Sequence, residues 1–133
     1  AIVYDSKKSA IVELGGGVPK NTAQQTGPLL DQILKRNDGG QDYIIQITDA
    51  RPDTGGLSGA TLQEGKSWGK IHDSHEGIVT VYADATIAFP ILALYVLSNQ
   101  QSRKPKRLYK KIGELYNKLS KDYFKNPNNI KKE

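Results

Sequence analysis

Three short β-rich segments place the strongest constraint on the fold. They read SAIVEL at 9–14, YIIQIT at 43–48 and GIVTVYAD at 77–84. Helical patterns such as GPLLDQILKRN and glycine-rich loops such as DARPDTGGL lie between them. Strands that alternate with helices and are apolar on both faces are typical of a parallel sheet. The sequence therefore predicts an α/β chain whose ligands bind at the carboxyl ends of the strands.

Helix positions follow from apolar spacing and from residues that start or stop helices. GPLLDQILKRN predicts a helix that begins near Pro28 and stops at NDGG, and residues Gly59 to Trp68 predict a short helix with Ser58 as its N-cap. The run ATIAFPILALYVLS has 14 residues, fewer than the ~20 that span a bilayer. We expect it to form a buried core helix behind the third strand, and no membrane segment.

Charge is distributed unevenly along the chain. The 133 residues carry a net charge of +5, but residues from 103 onward have eleven basic and three acidic side chains, which leaves a net −3 on residues 1–102. In the tail, apolar residues recur every three or four positions, as on one face of a helix: Leu108, Ile112, Leu115 and Leu119. The tail, 103–133, is thus predicted to be an amphipathic helix docked by its apolar stripe. A nucleic-acid-binding patch is the alternative, and we do not expect it.

Cysteine is absent, which excludes disulfides, thiolate zinc sites and cysteine nucleophiles. This composition is compatible with a reducing compartment, and we expect a cytoplasmic protein. His72 and His75 are interpreted as surface loop residues, because two histidines without a further ligand make a weak metal site. No metal is expected.

Two strand ends offer contacts to a nucleotide. Gly15-Gly16-Gly17 follows a strand and precedes a helix, where backbone amides can approach a pyrophosphate, although the loop is also consistent with a simple tight turn. Asp84 follows the third strand and either binds a ribose hydroxyl or caps the next helix. Both alternatives remain open for each feature.

The segment SGATLQEGKSWGKI at 58–71 contains two lysines beside the single tryptophan. A lysine becomes nucleophilic in a water-poor site that disfavours its ammonium, and Trp68 is a candidate wall for such a site. Lys70 lies at the end of the segment, where the predicted helix would reach Gly69, whereas Lys66 lies within that helix. Glu64 is suited to hold a cationic substrate group, and it approaches Lys70 only if the helix ends near Gly69. A solvent-exposed surface lysine is the other interpretation.

LGGGVPK, SGATLQEGKSWGKI and VYADATIAFPIL resemble, in order and separation, the carboxyl-terminal region of the deoxyhypusine synthase family. The resemblance covers residues 1 to about 100. It implies a Rossmann-like parallel sheet with helices on both faces, incomplete on its own, in which 1–102 form the carboxyl-terminal part of an NAD-binding domain. The family uses NAD to oxidise spermidine, forms an imine between the aminobutyl group and an enzyme lysine, and transfers that group to a lysine of a translation factor.

The resemblance also implies roles for individual residues. The lysine of the SWGK motif forms the imine, which makes Lys70 the catalytic residue. Substrate-binding positions are Glu64, Trp68, Ser58, Asn21 and Gly56. Cofactor-binding positions are Gly15, Gly16, Gly17, Asp49, Ala50, Asp84 and Ala85, of which Asp49 rests on the loosest part of the match.

The chain departs from the protein-modifying members at two positions. Asn21 stands where they have histidine, and Leu57 replaces an aspartate of their DGSDSGA loop. The pattern is closer to the deoxyhypusine-synthase-like branch, some of whose members make homospermidine from small amines. We expect transfer to a translation factor, with a small-amine acceptor or a non-catalytic regulatory paralogue as alternatives. The expected partners include a chain that carries the amino-terminal part of the fold, in a homo- or hetero-tetramer.

Overall fold

The computed structural model describes residues 1–35, 40–72, 77–99 and 104–125. Within them, β1 (Ala10–Leu14), β2 (Tyr43–Thr48) and β3 (Ile78–Tyr82) form a parallel sheet in the order β1-β2-β3. Leu14 lies opposite Ile47, and Thr48 lies opposite Tyr82, so the three carboxyl ends meet at one edge. The predicted α/β class and all three strand segments are confirmed.

The helices lie before, between and after these strands. They are α1 (Ile2–Asp5), α2 (Val18–Gln24), α3 (Thr26–Pro28), which continues as a π-helical turn Leu29–Ile33, α4 (Leu62–Ser67), α5 (Ala85–Asn99) and α6 (Ile112–Lys125). Short 3₁₀ turns occupy Pro52–Thr54, Leu57–Gly59 and Leu108–Lys111. The helix predicted near Pro28 is present, but it begins at Thr26; most of the predicted stop, NDGG, lies outside the described residues.

The N-cap of α4 is Thr61, so the prediction of Ser58 is wrong. Thr61 has extended backbone angles, and its Oγ1 accepts a hydrogen bond from the Glu64 amide at 3.2 Å. Threonine followed three residues later by glutamate is a capping pattern. Ser58 lies in the preceding 3₁₀ turn, so the helix begins later than the sequence predicted.

The main buried cluster lies on one face of the sheet, and Ile47 is buried on the other. Ile44, Leu62 and Ile71 are buried together, and Ile78 packs against them. Because side chains alternate along a strand, Gln46 shares this face with Ile44 and is buried as well. Its amide donates to the Ser58 carbonyl at 3.3 Å, which connects the sheet to the loop before α4.

Helix α5 is confirmed as a helix, but the prediction that it is buried is wrong for this chain. None of its residues is buried, and Leu94 is 71% exposed. The helix contacts β2, and the described residues leave much of its remaining surface uncovered. A helix that is apolar on all sides is normally enclosed by other elements, so α5 presents an apolar surface that needs a cover. No helix among the described residues is long and apolar enough to cross a membrane.

The tail forms α6 and docks on the amino-terminal helix α1. Its half-buried leucines are Leu108, Leu115 and Leu119. The Tyr4 hydroxyl donates to Asp122 at 2.8 Å, and Lys118 forms an ion pair with Asp5. These contacts join the two ends of the described chain.

Two glycines allow the backbone around Lys70 to enter the interior. A Cβ at Gly27 would lie 2.5 Å from the Gly69 carbonyl oxygen and 2.9 Å from Gly40 Cα. A Cβ at Gly40 would lie 2.5 Å from the Lys70 carbonyl carbon, and its φ of +86° favours glycine. A larger residue at either position therefore requires backbone movement.

We predict that Gly27→Ala destabilises the full protein by about 1–3 kcal/mol, because the added methyl overlaps main-chain atoms that cannot rotate away. Chemical unfolding monitored by circular dichroism measures the effect. The matched control is Gly113→Ala in α6, where nothing lies within 4 Å of the new Cβ. That control should be neutral or stabilising by up to about 1 kcal/mol, and equal destabilisation by both substitutions would contradict the close-contact explanation.

Candidate active site

The Lys70 main chain is held from both sides. Its amide donates to the Gly65 carbonyl at 2.9 Å, and its carbonyl accepts from the Gln41 amide at 3.0 Å. Helix α4 ends at Ser67, and Gly69 follows with a φ of +68°. The early helix end that the sequence required for Lys70 and Glu64 to approach each other is therefore present.

The Lys70 side chain points to α2. Its Nζ donates to Asn21 Oδ1 at 2.7 Å, and Asn21 Nδ2 donates to the Gly17 carbonyl at 3.2 Å. Asn21 directly follows LGGGVPK and Lys70 ends SWGK, so this contact brings together two segments that lie 49 residues apart.

Lys20 is a second amine in the same region. It is 5% exposed, and its Nζ donates to the Ala60 carbonyl at 2.7 Å. Burial lowers the pKa of Lys20, Glu13 and Glu64 raise it, and the like charge of Lys70 lowers it further. The site therefore groups two cationic and two acidic side chains.

Glu13 is one of these two acidic side chains and is 4% exposed. Its Oε1 accepts from Gln24 Nε2 at 2.7 Å, while Oε2 has no partner among the described residues. Burial raises the pKa of Glu13, and the hydrogen bond from Gln24 and the charge of Lys20 oppose that rise. Sequence reasoning missed Glu13, Lys20 and Gln24. The available signal was one charged residue, Glu13, on the same strand face as Ile11 in an apolar strand.

The remaining predicted substrate residues lie around α4. Trp68 is 67% exposed. The described residues therefore do not pack it against Lys70, where it was predicted to form an apolar wall. Glu64 is exposed in the first turn of α4, and Gly56 is exposed before the 3₁₀ turn. Ser58 is half-buried, and a Cβ at Gly17 would lie 3.5 Å from its Oγ. The loop before α4 therefore packs against the loop after β1.

The glycine loop after β1 has one amide that is already used. Gly15 and Gly16 have φ values of +58° and +72°, and the Gly15 amide donates to the Ile47 carbonyl at 2.7 Å. Gly17 precedes the first residue of α2. Gly15 therefore fixes the turn, which leaves Gly16 and Gly17 as the positions where a ligand can approach the backbone.

A cavity of about 550 Å³ lies at the carboxyl ends of β2 and β3. Its lining residues are Asp49, Arg51, Pro52, Asp53, Tyr82 and Ala83. Next to it, the Ala50 amide donates to Thr48 Oγ1 at 3.2 Å. Carboxylates and an exposed aromatic ring suit a ligand that has hydroxyl groups and flat rings, and NAD has both features.

Asp84 caps α5. Its Oδ1 accepts from the Thr86 amide and from the Thr86 hydroxyl, each at 2.7 Å. The hydrogen bond from the Thr86 side chain, followed by that from its backbone, lowers the pKa of Asp84. The capping role is therefore present, and Ala85 is the first helical residue after it.

The predicted position of the histidines in a surface loop is tested only for His72. His72 is exposed, and its amide donates to the Gln41 carbonyl at 2.9 Å, whereas His75 lies outside the described residues. No group of three or more His, Cys, Asp or Glu side chains suited to a metal occurs in the parts of the chain that the structure describes.

Comparison with known proteins gives a family assignment. The family model described as deoxyhypusine synthase matches residues 1–96. A "Deoxyhypusine synthase-like protein" of Nostoc punctiforme is 50% identical over 130 residues, which cover 93% of this chain and 33% of the relative. The chain belongs to the deoxyhypusine synthase family.

Two further relatives support the same family. A "Deoxyhypusine synthase-like protein" of Thermosynechococcus vestitus is 49% identical over 118 residues, 88% of this chain and 29% of the relative. A "Probable deoxyhypusine synthase 2" of Methanosarcina acetivorans is 50% identical over 92 residues, 69% of this chain and 26% of the relative. The resemblance inferred from the motifs is confirmed, and this family member spans about a third of the length of the curated relatives it matches.

We predict that Glu13→Gln changes the pH dependence of stability in this deoxyhypusine synthase family member. Because the folded pKa of Glu13 is raised above its ordinary 4.5, its stabilising contribution is full below that pH and is lost as pH rises through the folded value. Glutamine has no such proton, so the loss should disappear. Urea unfolding at several pH values from about 4 upward measures this.

The control for this experiment is Glu114→Gln on the exposed surface of α6. It should retain the pH dependence of the unsubstituted protein. Parallel stability curves for the Glu13 variant and the unsubstituted protein would contradict the argument that Glu13 titrates at a raised pKa.

Proposed function

We propose that this chain contributes the catalytic lysine and part of the cofactor site of an NAD-dependent aminobutyltransferase that uses spermidine. The observation that carries this proposal is the contact between Lys70 Nζ, in the SWGK motif, and Oδ1 of Asn21, which directly follows the LGGGVPK motif. Family membership supports the reaction class.

We further propose a Rossmann-like arrangement in which NAD binds along the carboxyl ends of the strands. Asp49 and Ala50 follow β2, Asp84 and Ala85 follow β3, and Gly16 and Gly17 give backbone access after β1. Bound there, NAD would supply the acceptor for a hydride from the substrate and later its donor. The chain's own residues orient the ligand through carboxylates and backbone amides.

Lys70 forms the covalent bond in this proposal. Loss of a hydride from the aminobutyl carbon beside the secondary nitrogen of spermidine leaves a carbon–nitrogen double bond. The Lys70 amine adds to that carbon, the secondary nitrogen leaves with the transferred proton as a three-carbon diamine, and an aminobutyl imine remains on Lys70. An acceptor amine then displaces Lys70 in the same manner, and the returned hydride gives the saturated product.

Substrate recognition falls to residues around the lysine. Glu64 has the charge to hold a terminal ammonium, and its influence on the pKa of Lys20 indicates that it faces the same region. Trp68 offers an exposed aromatic face to an alkylammonium chain. Ser58 and Gly56 belong to the loop that packs on Gly17, so they can border both the substrate and the cofactor.

We propose that a polypeptide segment carrying the amino-terminal part of the family fold completes the active enzyme, in a tetrameric assembly. Helix α5 and the exposed sheet residues Val12, Leu14 and Val79 form an apolar surface that such a segment can cover. Relatives about three times as long supply enough sequence for that role. Activity is therefore expected of the complete enzyme, which contains this chain and the remainder of the family fold.

The proposed acceptor is a lysine of a translation factor, and a small amine is the second candidate. Leu57 favours the second, because the protein-modifying pattern has an aspartate at this position and Leu57 is 56% exposed beside Gly17. A regulatory paralogue without activity is the third possibility, and retention of both Trp68 and Lys70 argues against it.

We predict that borohydride trapping in the presence of NAD and spermidine leaves an aminobutyl adduct on Lys70 of the complete enzyme. Intact mass followed by peptide mapping locates the adduct. Lys66→Arg is the matched control and should retain it, whereas Lys70→Arg should abolish it. An adduct on Lys66, or none with NAD and spermidine bound, would sink the assignment.

We predict that Leu57→Asp lowers the KM for spermidine by about three- to tenfold, because a partly exposed carboxylate gives an ammonium a charge-assisted hydrogen bond. Leu57→Asn, of similar size and without charge, is the control and should change KM little. Labelled spermidine is offered with purified translation factor in one reaction and with putrescine in another.

The fate of the label separates the acceptors. Label in the protein supports the first candidate, and label in homospermidine supports the second. Label in neither product, with Lys70 intact and NAD bound, would favour the regulatory paralogue. An unchanged KM in Leu57→Asp would show that this position does not face the substrate.

A further inference from the structure

We infer that Asn21 is a positioning residue for the Lys70 amine and does not bind the substrate directly. This inference rests on the proposed function, because it concerns the lysine assigned to imine formation. The amide oxygen of Asn21 accepts the Lys70 hydrogen bond at 2.7 Å, so one of its two acceptor positions is taken by the enzyme's own lysine.

The orientation of the Asn21 amide is fixed by its other end. Nδ2 donates to the Gly17 carbonyl at 3.2 Å, which turns Oδ1 toward Lys70. A flipped amide would place its NH₂ group against the Lys70 amine and its oxygen against the Gly17 carbonyl. That arrangement would replace two hydrogen bonds with a donor–donor and an acceptor–acceptor contact.

Both backbones that carry the pair are restrained. The backbone N–H of Asn21 donates to the Gly17 carbonyl at 3.0 Å at the start of α2. Gly17 is pressed against the loop before α4, where a Cβ would lie 2.9 Å from Leu57 Cβ. The Lys70 backbone is bonded to Gly65 and Gln41. The distance between the two side chains is therefore set by packed main chain, as preorganisation of a nucleophile requires.

An amide suits this role chemically. Its oxygen accepts a hydrogen bond from an amine in either protonation state but does not take the proton, so the lone pair of the neutral amine stays directed outward for attack. A carboxylate at the same place would favour the ammonium, which is not nucleophilic. Asn21 can thus hold Lys70 in place without neutralising its reactivity.

The first test compares Asn21→Leu, which keeps the approximate size and removes the acceptor, with the control Thr22→Ala on the exposed side of α2. In the complete enzyme at saturating spermidine, the rate of borohydride-trapped adduct formation should fall about tenfold in Asn21→Leu, the loss expected from one hydrogen bond to a charged or reactive group. KM for spermidine should stay within about twofold, and Thr22→Ala should match the unsubstituted enzyme. A raised KM with an unchanged trapping rate would overturn the inference in favour of substrate binding.

The second test needs neither NAD nor spermidine. Reductive methylation with formaldehyde and cyanoborohydride is followed by peptide mass spectrometry, with Lys66 as the internal reference. The ratio of Lys70 to Lys66 labelling should rise about threefold in Asn21→Leu as the amine is released. An unchanged ratio overturns the inference, as does an equal rise at both lysines, which would indicate general loosening. If the ratio rises in Asn21→Leu while the unsubstituted enzyme traps no adduct, the result supports the positioning role and rejects the proposed function.

Discussion

The close approach of Gly27 and Gly40 to the Gly69–Lys70 backbone is the contact on which the site depends. Neither glycine leaves room for a methyl group there. Their absence of side chains lets Gln41 bond to the Lys70 carbonyl and to the His72 amide, which extends the sheet by one isolated parallel bridge. The candidate nucleophile is thus mounted on sheet-like backbone and not on the end of a short helix.

This mounting couples the core to the site. Ile71 is buried against Ile44 and Leu62, and it directly follows Lys70. A substitution that loosens Ile71 is therefore expected to move the Lys70 backbone as well. The buried Glu13–Gln24 hydrogen bond extends the same coupling to α2, which carries Asn21.

Sequence reasoning recovered the elements whose signals are local. Three strand segments and the helical nature of α5 follow from apolar patterns, and the family follows from three motifs in order. The pairing of Lys70 with Asn21 was not predicted, because no local pattern reports which side chains meet across 49 residues. The sequence predicted Ser58 as the cap of α4, whereas the cap is Thr61. Both are good capping residues, and the backbone angles that decide between them depend on the loop.

The exposure of α5 shows a different limit. Its composition is typical of a helix in a protein interior, but none of its residues is buried by the described part of the chain. An apolar sequence pattern indicates that a helix is suited to burial. Whether the helix is buried also depends on which elements pack on it, and the pattern does not report them.

The cap on α5 uses one oxygen of the Asp84 carboxylate. Both Thr86 hydrogen bonds reach Oδ1 of Asp84, and Oδ2 accepts none from the described residues. The threonine thereby locks the rotation of the carboxylate, and the second oxygen keeps a fixed direction at the strand edge. A ligand hydroxyl that bonds to Oδ2 would meet an acceptor whose rotational entropy was already lost on folding, and the helix would keep its cap throughout.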